Sequence, residues 1–133
     1  MDTHQQKISH LKALYYLACA DNHLSAAEST YIRIVADRLG VSMEEIAKFD
    51  GSEPVLDLPD KEYKLYSLFH RLAHIIMIDD HPHEREKKFC FDLGVKMGLH
   101  PNAIAEIINH VTVHGAMRTS PADVMNIFKK YLN

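Results

Sequence analysis

The chain has 133 residues, 47% hydrophobic and 25% charged, and a formal net charge of −3 with its ten histidines neutral. That length suits one globular core, and the mixture excludes both a low-complexity disordered chain and a disulfide scaffold. Lysines and arginines are dispersed, with no cluster beyond pairs such as Lys87-Lys88 and Lys129-Lys130, so no nucleic-acid partner is expected.

Taken in chain order, Ile8, Leu11, Leu14, Tyr15 and Ala18 recur at helical spacing and predict a first helix from about His4 to Ala20. Asp21-Asn22-His23 ends it. Ser25-Ala26-Ala27-Glu28 is a capping box that opens a second helix running to a glycine stop at Gly40, and Ser42-Met43-Glu44-Glu45 opens a short third one to about Lys48. Gly51, Pro54 and Pro59 break helix and mark a linker. A fourth helix is expected from near Pro59, with Leu65, Leu68, Phe69, Leu72, Ile75 and Ile76 turned inward as the central strut. A fifth runs from about His83 to Met97 and stops at Gly98, a sixth from Pro101 to about His110. Ser120-Pro121-Ala122-Asp123 starts a seventh.

No stretch alternates with the two-residue period of a strand, so the expected fold class is all-α, with about seven helices. Two stretches are alike: Asp21-Asn22-His23 with Glu28, and Asp79-Asp80-His81 with Glu86, lie 58 residues apart. The same offset pairs Leu14 with Leu72, Leu17 with Ile75, Tyr31 with Phe89, Leu39 with Met97, Gly40 with Gly98 and Ile46 with Ile104. One helix-turn-helix unit has been used twice. We therefore expect a single domain over 1–133: repeat one over about 4–49, a linker over about 50–58, repeat two over about 59–112, and an extra C-terminal helix over about 120–132. The repeats should pack as one compact bundle.

Glu28 has a structural explanation as the third residue of a capping box, and Asp21 and Asp79 have one as turn residues. The second copy keeps Glu86 although residue 83 is His rather than Ser, so capping alone does not account for the recurrence. The sharper expectation is that packing joins the two turns, making Asp21, Glu28, Asp79 and Glu86 the ligands of a divalent metal ion. Two carboxylates about 4 Å apart repel by roughly 4 kcal/mol at an effective dielectric of 20, which a cation relieves. His23, Asp80, His81 and His83 stand close in sequence as further ligands. Oxygen ligands alone suit Ca²⁺, Mg²⁺ or Mn²⁺, whereas recruited histidines suit Zn²⁺. Neither turn is an EF-hand, because Ala26 stands where that loop requires glycine and Ile32 stands at its twelfth position.

His70 with His74 and His110 with His114 are spaced four apart, but each first histidine is followed by Arg71 or Val111 rather than the glutamate of a zincin, and a structural role is expected. Cys19 and Cys90 lie in apolar runs without a Cys-x-x-Cys and read as buried reduced thiols. Phosphate loops and nucleophile elbows are absent, so no catalytic residues and no enzyme activity are expected. The N-terminal residues lack the apolar core of a signal peptide and the apolar runs, such as Ile75 to Ile78, are too short to span a bilayer, so a cytoplasmic chain without membrane partners is expected.

The stretch Leu17-Ala18-Cys19-Ala20-Asp21-Asn22-His23-Leu24-Ser25-Ala26-Ala27-Glu28, followed by an amphipathic helix and Arg38-Leu39-Gly40-Val41-Ser42, resembles the tellurite-resistance TerB-like family. That family also includes the N-terminal part of a membrane-anchored DnaJ-like co-chaperone. The resemblance runs from about Leu11 to Ile108. It implies an all-helical fold, an acidic metal-binding face at Asp21, Glu28, Asp79 and Glu86, and a role in tellurite or other stress responses. The glycine usual after the first Asp is replaced by Asn22 and Asp80, residues that enter left-handed conformations more readily than most. His81-Pro82-His83 is not the His-Pro-Asp of a J domain, so co-chaperone activity does not carry over. The expected function is a non-enzymatic, metal-binding or metal-responsive module acting through a protein partner; the alternative is a metal-independent helical adaptor.

Overall fold

The computed structural model describes residues 3–20, 22, 24–78 and 84–132. Among these residues every regular element is helical: α1 (His4–Ala18), α2 (Ala26–Leu39), α3 (Met43–Ile46), α4 (Glu62–Ile76), α5 (Glu84–Lys96), α6 (Pro101–His114) and α7 (Pro121–Lys130), with a 3-10 turn at Ala116–Arg118.

Local chemistry sets most of the boundaries. Thr3 with Gln6, Ser25 with Glu28 and Ser120 with Asp123 form complete capping boxes at the starts of α1, α2 and α7. Each satisfies two amides that the first helical turn leaves without a partner. The predicted box at Ser42 is only half built. Ser42 accepts from the Glu45 amide, but the Glu45 carboxylate is drawn to His4 Nε2 at 3.0 Å. Gly40 and Gly98 end α2 and α5 at φ 73° and 81°. The following amides, of Val41 and Leu99, return to the carbonyls of Ala36 and Gly94 at 2.9 and 3.1 Å. These are the same C-terminal motif at equivalent places in the two repeats, with a buried apolar residue after each glycine.

The linker decides how the repeats meet. Gly51 lies beside Cys19 and Tyr15 at the C-terminal end of α1. The chain then runs back along α1: the Asp57 amide donates to Ser9 Oγ at 2.8 Å, and Gln6 Nε2 donates to the Leu58 carbonyl at 3.2 Å. Thus α4 begins where α1 begins, and the two helices end toward the same side of the bundle. This tethering also corrects one boundary. Pro59 does not open α4; the chain bends at Asp60 and Lys61, Lys61 caps the helix without a side-chain hydrogen bond, and α4 starts at Glu62. The α6 helix extends to His114, beyond the expected His110, because buried Val111 continues the stripe of Ile104, Ile107 and Ile108.

Helix α4 is the central strut, in contact with α1, α5, α6 and α7. Its Phe69, Leu72, Ile75 and Ile76 are fully buried with Leu11, Leu14 and Leu17 of α1 and Ile104 and Ile107 of α6. Burying each such side chain contributes about 1.5–3 kcal/mol. Helix α7 closes the core through Phe128, which stacks on Tyr66 at 4.3 Å. It is held to α6 by Glu106, which accepts from Lys130 Nζ at 2.6 Å and from the Tyr131 hydroxyl at 2.7 Å. Cys90 is buried as expected, whereas Cys19 is only partly covered. No helix among the described residues is long and apolar enough to cross a membrane.

Candidate metal centre

Glu28 and Glu86 occupy the same position in the first turns of α2 and α5, and both are buried, at 1% and 0% exposure. For Glu28 the cap explains one half of the carboxylate. Oε1 accepts from the Ser25 amide at 2.9 Å while the Glu28 amide donates to Ser25 Oγ at 3.0 Å. Oε2 is equally shut off from solvent, and among the described residues no donor reaches it. A solvated helix cap needs neither this burial nor this second oxygen. Glu86 lies one helical turn before Cys90, whose thiol pKa is pushed up by burial and further by the Glu86 charge.

The two glutamates are related by more than sequence offset. Tyr16 of α1 stacks on Phe89 of α5, ring centroids 5.1 Å apart and planes at 9°. The residues 58 positions from these two are His74 of α4 and Tyr31 of α2, and they also meet, at 5.9 Å and 31°. A contact from repeat one to repeat two is thus answered by the equivalent contact from repeat two to repeat one, as across an approximate two-fold axis. Each aromatic of the second helix follows its glutamate by three residues, one turn along the same face. Glu28 and Glu86 therefore enter the bundle as a related pair, on the side where α1 and α4 end.

Asp21, His23, Asp79, Asp80, His81 and His83, the other residues expected at the metal site, lie outside the described residues. Between Asp21 and His23, Asn22 takes the left-handed conformation at φ 64° that its replacement of a glycine implies. Among the described residues no group of three or more His, Cys, Asp or Glu side chains is arranged to hold a metal.

The histidine pairs serve another purpose. The rings of His70 and His74 lie 4.5 Å apart, as do those of His110 and His114. The pairs converge on Thr119, a residue that sequence spacing does not single out and that is only 2% exposed. His70 Nε2 donates to its carbonyl at 2.7 Å. The Thr119 hydroxyl donates to the Gly115 carbonyl at 3.1 Å, so His110 Nδ1, 2.9 Å away, must be the donor to that hydroxyl. These bonds fasten the Ala116–Arg118 turn against α4 and α6. Burial, and next the neighbouring His70, lowers the pKa of His74.

The family model for tellurite resistance protein TerB matches residues 1–50 and supports a TerB-like family assignment. The match spans the first repeat and ends at the linker. No curated protein and no solved structure matches the chain.

Proposed function

For a chain that is TerB-like over its first 50 residues, we propose a non-enzymatic, metal-binding or metal-responsive module that acts through a protein partner, in a stress response such as that to tellurite. The observation that carries this reading is the Glu28 carboxylate: one oxygen closes the helix cap, and the other is buried without a donor among the described residues. A buried anionic oxygen that no donor reaches costs free energy, and a hard cation is the group that recovers it. Glu86, at the equivalent position of the second repeat, is equally buried. Glu28 and Glu86 would hold the ion with Asp21 and Asp79, and His23, Asp80, His81 or His83 would complete the set. A bound cation would supply positive charge against these carboxylates; the chain's own contribution would be to hold its acidic side chains in place through the two related helix starts.

The test is elemental analysis of untagged protein, followed by thermal melting with Ca²⁺, Mg²⁺, Mn²⁺ and Zn²⁺. An ion at one hundred times its Kd stabilises the native state by about 2.7 kcal/mol. One of the four should raise the melting temperature by several degrees in wild type, and Glu28→Gln or Glu86→Gln should reduce that shift. Identical melting curves with all four ions, in wild type and variants alike, would leave the metal-independent adaptor as the better reading.

A further inference from the structure

Between α2, the end of α4 and the Gly115–Arg118 segment lies a cavity of ≈ 520 Å³, within the range of about 300–1,000 Å³ typical of small-molecule sites. Its lining is unusual in charge. Arg38, Arg71 and Arg118 come to it from three different elements, and none of the described residues lining it is acidic. No described carboxylate lies within ion-pair distance of any of the three. Among the described residues Arg71 makes a long contact, 3.5 Å, to His10 Nε2.

The cavity also explains apolar exposure that the core does not. Met117 is 95% exposed and Ile34 47% exposed, and both border the cavity with Met77. The phenol of Tyr31 sits in the same wall. Burial raises its pKa to about 12 against opposing pulls from Arg71 and then Arg38, which line the cavity with it. Unpaired guanidiniums beside an apolar wall match a ligand with anionic oxygens at one end and hydrocarbon behind them, since guanidinium binds carboxylate and phosphate through paired, charge-assisted hydrogen bonds.

We propose that this cavity is a binding site for a small organic anion, a carboxylate or phosphate head on an apolar body. The head lies among Arg38, Arg71 and Arg118, and the body lies against Ile34, Met77 and Met117. The site is separate from the acidic turns and needs no metal.

The experiment is calorimetric titration of the whole chain, with chelator present, using decanoate, decyl phosphate, decanol and decyltrimethylammonium below their micelle concentrations. At least one of the two anions should bind saturably at one per chain, and the tighter identifies the head group. Decanol and the ammonium compound should bind at least roughly tenfold more weakly, and the double variant Arg38→Gln with Arg118→Gln should lose at least roughly tenfold in affinity for the anion. Both arginines are exposed, so the variant should melt as wild type does. As a readout that needs no variant, the anion should shift the methyl resonances of Met117 and Ile34 in the wild-type protein. Failure of both anions to saturate, equal binding of decanol, undiminished binding by a folded double variant, or unmoved methyl resonances would overturn the proposal. Because chelator is present throughout, such a failure leaves the metal reading untouched.

Discussion

Tyr16 stacks on Phe89 across the two repeats at 5.1 Å, and the residues equivalent to them, His74 and Tyr31, repeat that meeting at 5.9 Å on the other side of the relating axis. Duplication has therefore produced an interface of the chain with its own copy, in which one pair of positions is used twice. Aromatic pairs of this kind contribute about 0.5–1.5 kcal/mol beyond the area they bury. A double-mutant cycle on Tyr16→Ala and Phe89→Ala should return a coupling energy in that range by chemical denaturation. Additive single effects would mean that the two rings do not act on each other.

The strut supplies a second expectation. Leu72 and Ile75 are both completely buried in α4. Leu72→Ala and Ile75→Ala should each cost about 2–5 kcal/mol, from lost burial together with the cavity left behind. Losses below about 1 kcal/mol at both positions would contradict this placement of the helix face.

Gly94 offers a comparison between the repeats. Its equivalent in repeat one is Ala36, which is fully buried without difficulty, whereas a methyl group at Gly94 would lie 2.7 Å from Ile104 Cδ1 and 2.9 Å from Phe69 Cε1. Both neighbours are themselves completely buried, so neither has room to withdraw. Overpacking of about 1–3 kcal/mol should outweigh the gain of about 1 kcal/mol that alanine brings to a helix interior. Gly94→Ala should lower the denaturation midpoint; a raised midpoint would show that the Ile104 and Phe69 side chains yield.

His74 predicts how stability responds to acid. Its pKa in the folded state is lowered by burial and by His70, below an ordinary value of 6.5. The unfolded chain therefore takes up this proton first as pH falls. The stability contributed by neutral His74 is complete above about pH 6.5 and is lost as pH falls from there through the lower folded value. Melting temperatures measured from pH 7.5 to pH 5 should fall less steeply for His74→Gln than for wild type. Parallel curves would assign the acid sensitivity to other groups.

Much of this protein was legible in the order of its residues. Helix starts and stops come from neighbours a few positions apart, so Ser25, Gly40, Gly98 and Ser120 announce their roles locally, and the repeat at an offset of 58 declares itself by matching those signals. What sequence could not supply is whatever depends on distant segments meeting. Pro59 looks like a helix start, yet hydrogen bonds tie the linker at Asp57 and Leu58 to Ser9 and Gln6 on α1, and the helix starts only at Glu62. Glu45 looks like half of a capping box until His4 takes its carboxylate. The two histidine pairs look alike from spacing alone, and only the fold brings both to Thr119. Glu28 shows the division most clearly. Its place in a capping box follows from the residue three positions before it, but the burial of its second oxygen is decided by tertiary packing, because solvent is excluded by surfaces and not by neighbours in the chain.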